Sequence, residues 1–526
     1  MTRPAISANR VAGVLCHITS LPGKFGCGDL GPAAEEFIDF LQRAGQTRWQ
    51  VLPLGPTGYG DSPYQCYSAF AGNPLLISLE RLASDGLLTA AELSDFPPSA
   101  KATQIDFDLV RPAHLAMLRK ACARFAAQAS AKMQAAFKAF RQAEADWLDD
   151  YAFFMALKET HGGSGWTDWD TPLAKRAPQA LATAKQKLAV QIEQQAITQF
   201  LFFTQWQALR ARCHQAGIKI VGDAPIFVSH DSADVWAQPE LFSLDAAGQP
   251  TVVAGVPPDY FATTGQRWGN PLYRWDVMKT TGYRWWRKRM AAALKLFDFV
   301  RLDHFRGFEA YWEIPASSPT AIGGRWAPGP GRDLFAAIRQ ELGSLPIYAE
   351  DLGLITPAVE ALRDELQLPG MRVLQFAFGD DDKAADYRPH NYPRDCVVYT
   401  GTHDNDTTVG WFRSEAGEGT TRDEDQVARE RDFTLRYLGS DGREIHWDMI
   451  RAALGSVADT AIIPLQDLLG LPSTARMNQP GTGTGNWRWR MKPGEITTAI
   501  ENRLADMTRV YDREPITSAA LPNEKS

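Results

Sequence analysis

The sequence predicts one α/β domain of the (β/α)8 TIM-barrel class over residues 1–526, elaborated by long, mainly helical insertions between barrel strands. Three observations lead there. Eight short apolar runs of strand character alternate with amphipathic helical patterns. Several of those runs end in loops rich in Gly, Pro, Tyr or acidic residues, and the carboxyl ends of barrel strands are where such folds place their chemistry. A chain of 526 residues is also too long for one simple core, which calls for an elaborated barrel.

The first run, Arg10 to His17, reads as a buried strand. It opens into the glycine-rich loop Leu21 to Gly31, after which an amphipathic helix runs from about Pro32 to Ala44. Trp49 to Leu54 is a second strand, again opening into a loop, Gly55 to Tyr64. Strand, loop, helix, strand is the βα alternation of a parallel sheet or barrel. Residues 80–215 change character: rich in Ala, Gln, Lys and Leu at helical spacing, they predict a helical insertion subdomain. Ala123 to Ala145 reads there as an exposed amphipathic helix. The aromatics Trp147, Tyr151, Phe153, Phe154, Trp166 and Trp169 read as its core.

Ile218 to Ala224 returns to the barrel pattern and carries Asp223. Residues 225–290 predict an irregular insertion or lid, since structureless stretches of that length are usually functional. Phe299 to Leu302 is the next strand, apolar apart from Arg301, and it runs into Asp303 and His304. Pro346 to Glu350, Met371 to Phe376, Cys396 to Thr400 and Thr460 to Leu465 complete the eight. Residues 379–455 predict a loop and helical insertion. The stretch beyond Leu465 is too short for a separate C-terminal β domain.

Composition excludes several classes. Lys plus Arg number 55 against 62 Asp plus Glu, a formal charge of −7 with no basic patch, so nucleic acid is not an expected partner. The six cysteines are scattered without Cys-x-x-Cys or zinc spacing. The N-terminus lacks an apolar signal core and no 18-residue apolar run occurs, so a cytoplasmic protein away from membranes is expected. The 16 Trp and 14 Tyr suit stacking on the apolar faces of sugars, although aromatics also fill cores.

Asp303, Glu350 and Asp404 each stand at or just past a strand end, with Asp223 as a fourth acid. Converging carboxylates are costly electrostatically, and glycosyl transfer with retention is the chemistry that uses them. Arg301 and Asp303, two apart in a strand, project to one face. The guanidinium is therefore expected to lower the pKa of Asp303 and keep it ionised as nucleophile. A plain Arg–Asp ion pair is the competing structural reading of those two residues. Glu350 is the expected acid/base, its pKa raised by clustered charge. Asp404, beside His403, is expected to hold sugar hydroxyls in a distorted ring. No His-Glu-x-x-His or calcium-loop spacing occurs, so neither a metal nor a cofactor is expected. Pro480 to Gly485 lacks the Gly-Lys-Ser/Thr ending of a phosphate loop and reads as a turn-rich loop.

At these residues the chain resembles the 4-α-glucanotransferases of glycoside hydrolase family 77, the amylomaltases or disproportionating enzymes. The likeness runs through Ser62-Pro-Tyr-Gln-Cys-Tyr-Ser-Ala-Phe-Ala-Gly-Asn-Pro74, Gly222-Asp-Ala-Pro-Ile-Phe-Val228, Asp231-Ser-Ala-Asp-Val-Trp236 and Arg301-Leu-Asp-His-Phe-Arg-Gly307. It continues through Ala349-Glu-Asp-Leu-Gly353, Thr400-Gly-Thr-His-Asp-Asn-Asp-Thr407, Arg476-Met-Asn478 and Gly485-Asn-Trp487. The resemblance implies the roles given above for Asp303, Glu350 and Asp404. It implies sugar-hydroxyl contacts for Arg301, Asp223 and His403 beside the cleaved bond. It implies glucan-chain contacts for Tyr59, Ser62, Tyr64, Phe261, Gln266, Trp268, Asp380 and Asn478. Substrates would be α-1,4-glucans, with glucose as an acceptor. Two positions depart from the family pattern, Arg267 and Cys27, and Arg267 bears on acceptor preference. Two alternatives stay open at this point: an α-amylase-type hydrolase using the same acids, and a non-catalytic glucan-binding protein.

Overall fold

The computed structural model describes residues 10–99, 101–258, 263–415 and 423–514. Eight parallel strands form the central sheet: β1 (Val11–Leu15), β2 (Arg48–Gln50), β3 (Lys219–Pro225), β4 (Phe299–Asp303), β5 (Ile347–Ala349), β6 (Gly370–Val373), β7 (Cys396–Tyr399) and β8 (Thr460–Pro464). Their order is β6-β7-β8-β1-β2-β3-β4-β5, so sequential strands are neighbours around a nearly closed barrel. The β5–β6 seam is joined by the Ala349 amide donating to the Pro369 carbonyl at 2.9 Å. Strands buried on both faces must read as continuous apolar runs, and β7, Cys-Val-Val-Tyr, and β8, Thr-Ala-Ile-Ile-Pro, are buried throughout.

Side chains fill the barrel interior. Arg48 lies over the Phe299 ring, Phe299 stacks on Tyr348, and the Tyr399 hydroxyl donates to Gln50 Oε1 at 2.8 Å. Above this packing, toward the carboxyl ends, Arg301 and Asp223 open the polar mouth. Helices cover the outside. Pro32–Arg43 begins with proline at its first turn, where no amide partner is needed, and turns Phe37, Ile38, Phe40 and Leu41 inward.

Several strands are shorter than their apolar runs. The second ends at Gln50, after which the chain stays extended with Val51 donating to Val221, and the sixth passes at Leu374 into a 3-10 turn. In the stretch 79–215 the named elements are all helical, from Leu79–Ser84 to the long helix Ala189–Gln215. The expected single exposed helix Ala123–Ala145 is instead the end of Phe107–Gln128 and the separate helix Ala131–Ala143. Ser130 caps the second through the Met133 amide, and Phe137 is buried against Phe125 and Phe200. Tyr151, Phe153, Phe154, Trp166 and Trp169 are buried, and Trp147 is packed beside them.

The region 225–290 is more ordered than irregular. Gln266–Pro271 and Val252–Val256 pair antiparallel, and the second continues against Ala310–Pro315, which pairs with Arg325–Pro328. This four-stranded sheet stands above β3 and β4, on the chain that leaves their carboxyl ends. Among the described residues no helix is long and apolar enough to cross a membrane, and the six cysteines are free.

Candidate active site

Strand register assembles the first pair of acids. Leu302 on β4 lies opposite Ala349 on β5, so the next positions along, Asp303 and Glu350, emerge side by side from strands spaced about 4.8 Å apart. The Glu350 amide donates to the Leu302 carbonyl at 3.0 Å and fixes that alignment. His304 then adopts a left-handed conformation, φ 52°, an uncommon state for a residue with a side chain. The turn aims its amide at Glu350 Oε2, 2.7 Å away, while the Leu352 amide donates to Oε1 at 2.9 Å. Below, Asp351 anchors the strand end through the Met371 amide at 2.6 Å and Arg363 at 2.5 Å. Gly370 makes room for it, since a Cβ there would come within 2.4 Å of the Asp351 carboxylate.

Arg301 is buried and divides its guanidinium between two acids. Nη1 donates to Asp223 Oδ2 at 2.7 Å, and Nη2 meets Asp303 Oδ1 at 2.9 Å. Asp223 faces Arg301 directly across the β3–β4 ladder, and its Oδ2 also accepts from the Tyr64 hydroxyl at 2.8 Å. Tyr64 stacks on the His403 ring at 5.2 Å and 13°. Burial and Asp223 push its hydroxyl well above the ordinary tyrosine range, so it stays a donor.

Asp404 lies on the loop after β7 and depends on side-chain tethers. Its Oδ1 accepts from Asn478 Nδ2 at 2.6 Å, its Oδ2 lies 3.3 Å from His403 Nε2, and its carbonyl accepts from Arg476 at 2.6 Å. The loop is pinned at both ends by buried Asp467, which accepts from the Thr400 hydroxyl at 2.5 Å and from the Thr408 amide and hydroxyl at 2.6 and 2.8 Å. Asn405 closes the turn by accepting from the Thr402 amide at 2.9 Å. Burial, the larger effect, pulls His403 below the usual imidazole range against the opposing pull of Asp404, leaving it neutral at pH 7.

The electrostatics overturn one expectation. Arg301 does favour the charged form of Asp303, but burial outweighs it and the carboxyl is pushed up to about 8, with Asp223, Glu350 and Asp404 adding to the rise. The cause is visible in the geometry: a single cation serves two carboxylates. Glu350 is also raised, chiefly by burial, against the pull of Arg301 and its two backbone donors. Asp303 and Glu350 therefore titrate as a pair that keeps a proton near neutrality.

The remaining expected residues sit as follows. Asn478 joins the cluster as the tether on Asp404. Trp268 meets His304 edge-on at 4.8 Å and donates from its indole to Gln266 Oε1 at 3.2 Å. Ser62 accepts the Tyr64 amide at 3.2 Å and so steadies that residue. Tyr59 is 79% exposed beside Gly483, an aromatic face open to solvent. Asp380 is exposed and ion-paired at 2.7 Å to Arg429 on the helix Glu424–Leu438. Phe261 lies outside the described residues. Arg267 donates to the Ala316 carbonyl, bracing the antiparallel sheet. Sequence reasoning did not single out the supports Asp351, Asp467, Asn405 and Arg476 or the ring of Trp487. Asp351, Asn405, Arg476 and Trp487 lie inside the motifs quoted above without having been given a role, and Asp467, three residues past β8, carries no local period. Among the described residues no group of three or more His, Cys, Asp or Glu side chains is arranged to hold a metal ion.

Comparison with known proteins agrees with this geometry. Residues 16–497 match the glycoside hydrolase family 77 model, described as 4-alpha-glucanotransferase. The chain is 52% identical over 512 residues to a 4-alpha-glucanotransferase of Thermus thermophilus, covering 96% of this chain and 99% of that protein. It is 50% identical to one from Synechocystis, at 96% and 98% coverage. Among solved structures, amylomaltase from Streptococcus agalactiae in complex with acarbose superposes with a TM-score of 0.91 at 39% identity, covering 96% of this chain and all of that one.

Proposed function

Because the chain belongs to glycoside hydrolase family 77, the 4-alpha-glucanotransferases, we propose that its own acids divide the transfer reaction as follows. The activity is transfer of α-1,4-glucan segments from a donor to an acceptor glucan. Asp303 attacks the anomeric carbon while Glu350 protonates the departing glycosidic oxygen, leaving a glycosyl ester on Asp303. Glu350 then takes the proton from the acceptor 4-hydroxyl, which displaces Asp303 with net retention.

The observation that carries this reading is the strand register that sets Asp303 and Glu350 side by side, since a retaining pair works at about 5–5.5 Å. One proton shared by two neighbouring carboxyls is the stoichiometry that double displacement needs. The Arg301 contact favours charge on Asp303, and the backbone donors on Glu350 make it readier to release its proton. Asp404, with Asn478 behind it, accepts hydroxyl protons of the reacting ring, and those bonds count most where they tighten in the transition state. Arg301, Asp223, Tyr64 and neutral His403 supply further polar contacts, while Trp268 and exposed Tyr59 offer stacking faces along the glucan.

Transfer requires an oriented acceptor to outcompete water for the ester. Incubation with maltotriose tests this: glucose together with a ladder of longer maltodextrins is expected. Shortening alone makes the protein a hydrolase with the same acids. Glucose as an acceptor and a reducing, cytoplasmic setting also belong to the proposal, the latter supported by six free thiols.

A further inference from the structure

The strap from Arg476 to Trp487 touches the site at more points than Asn478. Its base is closed by the Trp487 amide donating to the Met477 carbonyl at 2.7 Å. The Asn478 amide donates to the His403 carbonyl at 3.0 Å, and Arg476 bridges the carbonyls of Asn478 and Asp404. At its far end Trp487 stands in the left-handed region, φ 65°. That conformation costs a residue with a Cβ roughly 1–2 kcal/mol, and glycine or asparagine would hold it with less strain. The bulky ring is kept there nonetheless, buried to 6% exposure. It meets both rings that border the acids: Tyr64 at 5.6 Å and His403 at 5.9 Å, tilted 39° and 37°. Tyr64 in turn stacks on His403 and donates to Asp223. The three rings form a closed triangle in which every edge is a contact.

We propose that Trp487 is a positioning residue of the transfer reaction. Its indole, wedged behind Tyr64 and His403, fixes the imidazole plane so that His403 and Asp404 present their polar edges together to the reacting sugar. The wedge acts through these two neighbours and needs no contact with the glucan. Its removal therefore lowers transition-state stabilisation more than donor binding, the pattern of an interaction that matters in the transition state. The inference rests on the reading of Asp404 given above.

The test uses the full-length enzyme and initial rates of maltotriose disproportionation. Trp487→Gly is the informative variant, because glycine keeps the left-handed backbone without strain and deletes only the ring. Its kcat is expected to fall about 10- to 100-fold, the scale of a small misplacement at a reacting centre, with KM within about threefold. Its melting temperature is expected to stay within a few degrees of wild type. Trp487→Phe, which keeps an aromatic wedge, is expected to recover most of the loss. Trp487→Gly with wild-type kcat overturns the proposal. So does a loss of kcat that tracks a fall in melting temperature and is not recovered by Phe, since the ring is then only structural. Asp404→Asn is assayed in parallel: an active Asp404→Asn enzyme sinks the underlying reading, whereas an inactive one beside a wild-type-like Trp487→Gly sinks this inference alone.

Discussion

The two halves of the site are held by different means. Asp303 and Glu350 leave adjacent strands, and the hydrogen-bond ladder of the barrel sets their spacing. Asp404 sits on a loop five residues past the end of β7, with its side chain 43% exposed, and it is held chiefly by side chains. Asn478, Arg476, His403 and buried Asp467 replace the register that a strand would have supplied. Precision can thus come from backbone pairing or from a shell of buried polar groups, and the second route spreads the cost of any error over many residues. Substitutions near the strand-borne pair should strike chemistry alone, whereas those around the loop should strike chemistry and stability together.

The largest effect expected is at the strand-borne pair. Asp303→Asn should lower turnover by ~10⁴-fold or more, since a neutral amide is no nucleophile. Maltodextrin binding, followed by calorimetry, should persist, and undiminished turnover would refute the assignment. Next comes Asp467→Ala, which deprives Thr400 and Thr408 of an acceptor while leaving Asp303, Glu350 and Asp404 in place. It should cost about 2–4 kcal/mol of stability in denaturant unfolding and reduce kcat as the loop loosens. Unchanged stability would mean that the loop is held otherwise. Smaller again is Asn478→Ala, expected to cost about tenfold in kcat together with roughly 1 kcal/mol of stability from the lost tether on Asp404.

The smallest effects are in pH. Asp303 and Glu350 keep a shared proton up to about 8, so kcat/KM of the free enzyme should fall on the alkaline side as that proton leaves. The same rise has a sign for stability. A carboxyl whose folded pKa lies above its unfolded value binds its proton more tightly when native, so its contribution is lost as pH rises toward 8. Asp303→Asn cannot titrate, and its melting temperature should gain on wild type steadily between pH 5 and pH 8. A constant difference across that range would contradict the burial-driven shift.

The same contrast explains what was legible in the sequence. Val300, Ile347, Val397 and Ile462 stood in short apolar runs because both faces of a parallel strand are buried. An acid following such a run is conspicuous, which exposed Asp303 and Glu350. The antiparallel sheet escaped notice because its strands are half-exposed and lack a continuous apolar run, and Val252–Val256 pairs with Ala310–Pro315 across the whole of β4. Asp467, Arg476 and Trp487 act over long sequence separations on a loop, where no local period marks them. The balance between Arg301 and burial at Asp303 was misread for a related reason. Spacing shows that a cation is near but not that Asp223 shares it.

The central claim is that Asp303 carries the glycosyl group, and it can be tested on Glu350→Gln with α-maltosyl fluoride, a donor whose leaving group needs no acid. With the base for the second step removed, intact-mass spectrometry should show one added maltosyl unit per chain, mapped by peptide digestion to Asp303. An adduct on another carboxylate, or continued turnover with no adduct on the enzyme, would contradict the account.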